Sequence, residues 1–265
     1  FHYVPITPVH FMVNSSYKEA NGSARHFPSN LIELYTQPPV APEHLIANED
    51  YVRGLVIHEF THVIHLDQTR GIWQFSRDIF GSIGKIPVAI VPRWFTEGIA
   101  TWAESHFTNS GRLHSSMLNY ELKLALSQQK HCQDISCIDS PGVYPQGQLA
   151  YWVGAHFMQK LEAQKAGTIK CLVEENSDQI PFTLNLVFRD CTGHSVEGLM
   201  SQMLLELRQE IEVEQQTREH LRMPVFQMGV VVNQKELYMV ESEDGVYYLV
   251  KKDRLAQNTK KKKSF

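Results

Sequence analysis

Apolar side chains recur at three- and four-residue steps along the segment from Glu43 to Thr69. This stripe consists of Val52, Leu55, Val56, Phe60, Val63 and Ile64. The spacing places the apolar side chains on one helical face, so a helix is predicted there, with Gly71 as its stop signal. A second helix is predicted from Arg93 to His106. Residues 71–92, rich in Gly, Ile and Pro, are expected to form a short helix and a loop.

The two ends of the chain favour strands. Residues 1–40 are predicted to be extended, with alternating apolar and polar side chains from Asn30 to Thr36. Further helices are predicted near 115–129, 146–165, 167–175, 180–190 and 195–220. Three β-type runs follow Pro224, at Val230–Val232, Glu236–Val240 and Val246–Val250. The predicted fold class is therefore α+β, with a small N-terminal sheet, a mainly helical C-terminal lobe and a short C-terminal β meander.

This change of pattern divides the chain into three parts. Residues 1–222 are predicted to form the main domain, and residues 223–258 a β-strand module. Three strands make a unit too small to stand alone, which favours the start of a truncated β-propeller. A small sheet packed on the helical domain is the alternative. Residues 259–265 contain four consecutive lysines and are predicted to be a disordered basic tail.

Charge excludes one class of partner. The 265 residues include 25 Lys and Arg against 29 Asp and Glu, which gives a net charge of −4. A nucleic-acid binder that relies on a basic surface is therefore not expected. No apolar run reaches the roughly 18 residues that a membrane-spanning helix needs, so no span is predicted. The 13 histidines are an unusually high number for this length.

The four cysteines lack the C-x-x-C spacing of a zinc ribbon. Their even number favours two disulfides, Cys132–Cys137 and Cys171–Cys191, and hence an oxidising compartment. Four unpaired thiols remain the alternative.

His58, Glu59 and His62 form an H-E-x-x-H motif within the most strongly predicted helix. Positions i and i+4 lie one turn apart on the same face, so both imidazoles can reach one Zn²⁺ ion. Glu59 is rotated away from that face by about 100° and can act as general base toward a water molecule. Two core histidines on a buried helix are the non-functional alternative.

A catalytic zinc site needs a third protein ligand. Metzincin spacing would require Gly and His where this chain has His65 and Gln68, so that class is excluded. The segment from Arg93 to Trp102 carries Trp94, Glu97, Gly98 and Ala100 in a W-x-x-E-G-x-A pattern. This pattern resembles the gluzincins, the clan of thermolysin and aminopeptidase N.

The resemblance implies a zincin-like metallopeptidase domain with Glu97 as the third zinc ligand. It also implies that Gly98 and Ala100 allow the two helices around the metal to approach closely. Glu104, two turns further along the same helix, is a competing ligand. His65 is a third possibility, although a position next to the ligands or on the surface is more typical of such a residue.

Two shorter segments extend the resemblance. Tyr144, followed by Pro145, Gln146 and Gly147, is similar to the Tyr-x-Lys-Gly element of aminopeptidase-N relatives, whose tyrosine stabilises the oxyanion. Tyr151 is the second candidate, with packing of its helix as the alternative role. The segment 21–24 (Asn-Gly-Ser-Ala) resembles the strand that aligns the substrate in those peptidases. An ordinary Asn-Gly turn would explain it equally well.

Together, these patterns predict a zinc-dependent metallopeptidase that acts on peptides or proteins. One Zn²⁺ ion would be bound by His58, His62 and Glu97, with Glu59 as general base and Tyr144 as oxyanion donor. The alternative is a catalytically inactive zinc-binding scaffold attached to a β-propeller. Similarity to secreted peptidases, together with the cysteine number, predicts a periplasmic or secreted location, and the domain is expected to pack against a propeller.

Overall fold

Three short strands near the N-terminus form one mixed sheet in a computed structural model of the chain. They are β1 (Val9–Asn14), β2 (Gly22–Arg25) and β3 (Asn30–Tyr35). The central strand β3 runs parallel to β1 and antiparallel to β2, so β2 is an edge strand. The alternation predicted for β3 is confirmed, because Asn30, Ile32 and Leu34 are buried while the intervening side chains are partly exposed.

The structure describes residues 3–15, 21–36, 51–108, 110–128, 135–139, 146–221, 227–231, 236–243, 246–253 and 259–264. Within these ranges the predicted α+β class is confirmed. The chain forms two units, Phe1–Gln209 and Glu210–Phe265. The boundary falls inside a helix rather than at the predicted position, 222.

Eight α-helices lie in the described part of the chain. They are α1 (Tyr51–Asp67), α2 (Gly71–Phe80), α3 (Arg93–His106), α4 (Ser116–Gln128), α5 (Leu149–Gln164), α6 (Thr168–Asn176), α7 (Leu184–Thr192) and α8 (Val196–Leu221). The helix predicted at 93–106 is confirmed residue for residue. The loop expected after α2 is instead a 3₁₀ segment, Gly81–Ala89, since Gly81 ends α2 with φ of 61° and the chain then continues in tighter turns.

Helix α3 lies between α1 and α5, and this position organises the main unit. Ile32 and Leu34 of the sheet pack with Leu55 and Val63 of α1. On the other side, Trp94 of α3 belongs to a buried aromatic cluster that also contains Phe95, Phe157 and Phe188. The sheet therefore supports α1 and the aromatic cluster supports α3, so the two motif-bearing helices are held side by side.

One predicted disulfide is confirmed. Cys171 and Cys191 are bonded and join α6 to α7. Cys137 is also disulfide-bonded, whereas Cys132, its predicted partner, lies outside the described residues. Among the helices that the structure describes, none has the length and apolar character needed to cross a membrane.

The second unit contains the end of α8 and a four-stranded antiparallel sheet. Its strands, in spatial order, are β4 (Gln227–Val231), β5 (Glu236–Glu243), β6 (Val246–Asp253) and β7 (Thr259–Ser264). The prediction of a disordered tail is wrong for residues 259–264, which form β7. β7 pairs with the edge of β6 that faces away from β5, and this pairing uses backbone N–H and C=O groups rather than apolar side chains.

Candidate metal centre

Helices α1 and α3 bring three donor atoms to one point. The Nε2 atoms of His58 and His62 each lie 3.3 Å from Oε2 of Glu97. Donors that bind one ion at about 2.0–2.1 Å in tetrahedral geometry are separated by about 3.3–3.4 Å. The spacing therefore fits a single small ion, and the His58–His62–Glu97 group could hold a metal.

Access to this cluster is uneven. The side chain of His58 is 5% exposed, whereas those of His62 and Glu97 are 13% and 17% exposed. Solvent therefore reaches the donors from the side of His62 and Glu97. A site with three protein donors and one accessible side would leave one coordination position open.

Glu104 does not belong to the donor cluster but lies behind His58. Its Oε2 is 3.4 Å from Nδ1 of His58. Nη2 of Arg112 lies 3.1 Å from the same Nδ1. If Nε2 bound a metal, Nδ1 would carry the proton and could donate it to the carboxylate, and Arg112 would then donate to Glu104 alone. The alternative that Glu104 replaces Glu97 as a ligand is therefore not supported by the geometry.

Arg112 holds Glu104 in this position. Its backbone N–H donates to Oε1 of Glu104 over 3.1 Å, and Nη2 and Nε of its guanidinium donate to Oε2 over 2.9 and 3.2 Å. Burial alone would raise the pKa of Glu104, but the Arg112 charge and the contact with His58 hold it at about 2. Glu104 is therefore a fixed carboxylate anion behind His58.

The same charges act on the donors themselves. Burial and Arg112 lower the pKa of His58, yet its contacts with Glu104 and Glu97 outweigh them and raise it to about 9. Burial would raise the pKa of Glu97, but hydrogen bonds and charge from both imidazoles hold it well below its usual range. Protons and a metal therefore compete for these atoms, and metal binding would release protons.

Glu59 lies beside the cluster and beneath the sheet edge. Its side chain is buried, and burial raises its pKa although both imidazoles oppose the shift. A Cβ atom at Gly22 of β2 would lie 2.9 Å from Oε1 of Glu59 and 2.8 Å from Cδ1 of Leu55. The edge strand can approach the carboxylate this closely only because residue 22 has no side chain.

Tyr151, the second candidate for oxyanion stabilisation, lies next to the donors. Its ring stacks on His58 with a centroid distance of 6.2 Å. Nη2 of Arg93 donates to its hydroxyl over 3.2 Å, which leaves the phenolic hydrogen free to donate elsewhere. Burial and the nearby Glu97 charge raise its pKa, so the phenol stays protonated. Tyr144, the first candidate, lies outside the described residues.

His65 is not among the donors. It is buried, and within the described structure neither ring nitrogen has a hydrogen-bond partner. Its ring contacts Phe95 edge-on at a centroid distance of 5.1 Å. Burial, with a smaller effect of His62, lowers its pKa to about 3, so it is a neutral core residue.

Gly98 has a different role from the one the motif implied. A Cβ at this position would lie 2.7 Å from the backbone carbon of Gly154 in α5. A Cβ at Gly154 would in turn lie 2.4 Å from the carbonyl oxygen of Trp94. Gly98 therefore permits close approach between α3 and α5, whereas the motif implied close approach between α1 and α3.

Sequence reasoning missed Arg93 and Arg112. Both guanidinium carbons lie 5.0 Å from the centroid of the Tyr151 ring. Arg93 lies four residues before Glu97, a helical spacing that could have placed it on the same face. Arg112 begins a short 3₁₀ turn, Arg112–His114, after α3, and no local pattern connects it with His58 or Glu104.

No family model matches the chain, and neither a curated protein nor a solved structure matches it. The fold and the site define an α+β protein in which three residues could hold a metal ion.

Proposed function

We propose that this protein is a zinc-dependent metallopeptidase. The observation that carries the proposal is the equal 3.3 Å spacing of the two imidazole nitrogens from Oε2 of Glu97, next to the buried Glu59. Two nitrogens and one carboxylate oxygen with an accessible side are a typical donor set of catalytic zinc. When bound, zinc would polarise a carbonyl and lower the pKa of water.

The chain's own groups would then divide the remaining work. Glu59, whose pKa is raised by burial, would accept the proton of the attacking water and later donate it to the leaving amine. Tyr151 would donate its phenolic hydrogen to the oxyanion, held in place by Arg93. Glu104 would orient His58 through Nδ1.

The surroundings of the site support a zincin-like domain and a peptide substrate. The motif helix α1 packs against the sheet, and the edge strand β2 contacts Glu59 through Gly22. Backbone groups of an edge strand can pair with an extended peptide. The segment 21–24, for which an ordinary turn was the alternative, thus contributes residues 22–24 to this strand.

The periplasmic or secreted location is part of the same proposal. The Cys171–Cys191 disulfide is compatible with an oxidising compartment. Association with a β-propeller likewise remains a hypothesis.

Replacement of Glu59 tests the mechanism. Glu59→Gln keeps the side-chain shape but removes the general base, so cleavage of a mixed peptide library should fall at least about 100-fold. Zinc content, measured by atomic emission after dialysis, should stay at one ion per chain. Glu212→Gln, which removes an exposed carboxylate of α8, is the control. Undiminished cleavage by Glu59→Gln would refute the mechanism.

The metal itself is tested by a second pair of variants. His62→Ala should lose zinc and activity together, whereas His194→Ala, an exposed histidine, should keep both. Wild-type protein that binds zinc but cleaves nothing would favour the inactive-scaffold alternative. Wild-type protein that binds no zinc would refute both hypotheses.

A further inference from the structure

Arg93 is the first residue of α3 and lies on the same helical face as the donor Glu97. The two residues are four positions apart, which corresponds to about 6 Å of rise along the helix axis. Arg93 is exposed, whereas the side chain of Glu97 is 17% exposed. Arg93 therefore carries a solvent-accessible positive charge about one helical turn from a metal donor.

Tyr151 connects Arg93 with the donor cluster. Nη2 of Arg93 donates to the Tyr151 hydroxyl over 3.2 Å, and Cζ lies 5.0 Å from the centroid of the ring. That ring in turn stacks on His58 with a centroid distance of 6.2 Å. An extended peptide advances about 3.3–3.6 Å per residue, so about three residues would span the path from His58 to the guanidinium. A peptide bound at the donors could therefore reach Arg93 within a few residues.

The carboxylates near Arg93 are already engaged by other groups. Glu97 and Asp139 are the two whose charge acts on the guanidinium. Glu97 contacts both imidazoles of the donor cluster, and Oδ1 of Asp139 accepts a hydrogen bond from the backbone N–H of Trp94 over 2.9 Å. Among the residues that the structure describes, Arg93 forms no ion pair with a carboxylate. A guanidinium has five N–H donors, so most of them stay available for a ligand.

Arg112 shows how a guanidinium at Tyr151 binds a carboxylate inside the protein. Its Cζ also lies 5.0 Å from the ring centroid, but its side chain is only 9% exposed. Nη2 and Nε of Arg112 donate to Oε2 of Glu104 over 2.9 and 3.2 Å. Of the two arginines at this ring, the enclosed one thus has its carboxylate within the chain. The exposed one, Arg93, has the same donor geometry and faces solvent.

We propose that Arg93 is a specificity-determining residue that binds a carboxylate of the peptide substrate, within about three residues of the scissile bond. The inference rests on the proposed peptidase function. The carboxylate could be the free C-terminus of the substrate or an Asp or Glu side chain, since both present the same two oxygens. A planar guanidinium binds such a group through two parallel hydrogen bonds, and a neutral amide does not replace it.

Three mixed hexapeptide libraries test the preference for a carboxylate. The first has a C-terminal amide and no Asp or Glu, the second has a free C-terminus and no Asp or Glu, and the third has a C-terminal amide and contains both. Zinc-loaded wild type should cleave the second or the third library at least about tenfold faster than the first. The library that is preferred identifies the source of the carboxylate.

Substitutions separate carboxylate binding from the positioning of Tyr151. Arg93→Gln should reduce the preference to less than about twofold, and Arg93→Lys should retain an intermediate preference because it keeps the charge but loses the fork. Tyr151→Phe should slow cleavage of all three libraries but keep the preference. Arg189→Gln, which replaces an exposed arginine of α7, should behave like wild type. If Arg93→Gln slowed all libraries equally, Arg93 would only position Tyr151 and the inference would be wrong.

Binding without cleavage distinguishes this inference from the peptidase function. In equilibrium dialysis, zinc-loaded Glu59→Gln should retain peptides with the preferred carboxylate at least about tenfold over the first library, and Glu59→Gln/Arg93→Gln should not. Such retention, without any cleavage by wild type, would refute the peptidase function and leave the Arg93 site standing. Equal cleavage of all libraries by wild type would overturn the Arg93 site alone. Neither cleavage nor retention would overturn both.

Discussion

Glu104 and Arg112 lie behind His58, on the side away from the three donor atoms. The carboxylate is within 3.4 Å of Nδ1, and Arg112 binds both of its oxygens. A carboxylate in this position fixes the imidazole tautomer and raises the basicity of the ligand. The residue that looked like a competing ligand is therefore better understood as a support for His58.

Glu104→Gln should consequently lower zinc affinity by about 10- to 100-fold, because the amide keeps the shape but removes the anion. Competition with a fluorescent zinc chelator measures this change. The exposed Glu212→Gln should bind zinc like wild type. If Glu104→Gln also retained wild-type affinity, the supporting role would be excluded.

His65 gives a prediction about pH. Its pKa is about 3 in the folded protein against 6.5 in the unfolded chain, so the unfolded chain binds more protons between these values. Above pH 6.5 the neutral His65 does not reduce the free energy of unfolding. As the pH falls from 6.5 toward 3, the unfolded chain binds a proton that the folded chain does not, so the free energy of unfolding falls. Between pH 7 and pH 5, the free energy of unfolding of wild type should therefore fall by on the order of 2 kcal/mol more than that of His65→Leu.

Urea unfolding at both pH values, with chelator present, measures this difference. His194→Leu replaces an exposed histidine and should leave the pH dependence unchanged. Because neither nitrogen of His65 has a partner in the described structure, the leucine forfeits no hydrogen bond. An identical pH dependence in wild type and His65→Leu would contradict the buried, neutral state.

At the scale of elements, the contact between α3 and α5 determines how far α3 can enter the core. Gly98 and Gly154 face each other there, and each would place a Cβ within 3.0 Å of the opposite backbone. A backbone atom cannot rotate away as a side chain can. The position of Glu97, one residue before Gly98, therefore depends on this second helix contact as well as on α1.

Gly98→Ala should lower the free energy of unfolding by about 1–3 kcal/mol, because the two helices must separate. Chemical denaturation measures this change in the free energy of unfolding. Gly198→Ala in α8 is the matched control: its new Cβ would meet only the Ser195 hydroxyl at 3.1 Å, and alanine favours helix by up to about 1 kcal/mol. Equal stability of the Gly98→Ala variant and wild type would show that the helices are not in contact here.

At the scale of the whole main unit, Asp67 connects segments that are far apart in sequence. It accepts hydrogen bonds from the Tyr3 hydroxyl over 2.8 Å and from the backbone N–H of Ile6 over 3.2 Å, as well as from Arg77 and Lys85. Burial would raise the pKa of Asp67, but these partners, Lys85 first, lower it to about 2. The N-terminal segment, α1 and the two elements that follow it, α2 and the 3₁₀ segment Gly81–Ala89, therefore share one buried anion.

Asp67→Asn should lower the free energy of unfolding by about 3–5 kcal/mol at pH 7, since two buried cations lose their counter-ion. The contribution of Asp67 is complete above pH 3.8 and is lost as pH falls through about 2, so the variant and wild type should converge in acid. Thermal unfolding of wild type and Asp67→Asn, from pH 7 down to about pH 2, measures the difference at pH 7 and its disappearance in acid. Asp78→Asn, an exposed carboxylate, should change stability by less than about 0.5 kcal/mol.

The sequence alone determined what depends on neighbours within one turn or one strand. The helical stripe and the four-residue step between His58 and His62 predict a shared face, and the alternation in β3 predicts its buried side. These features are local because backbone hydrogen bonds set the helical and strand periods. A motif resemblance added Glu97, which the structure brings to the two histidines.

Only the tertiary structure decided which distant segments meet. Arg112 reaches Glu104, Lys85 reaches Asp67 and Gly98 meets Gly154 across separations that no periodicity encodes. The same holds for β7, where an available strand edge outweighed a lysine-rich composition. Buried charges and close backbone contacts depend on which groups meet in three dimensions, so the neutral His65 and the buried cations Arg77 and Lys85 became visible only in the folded chain.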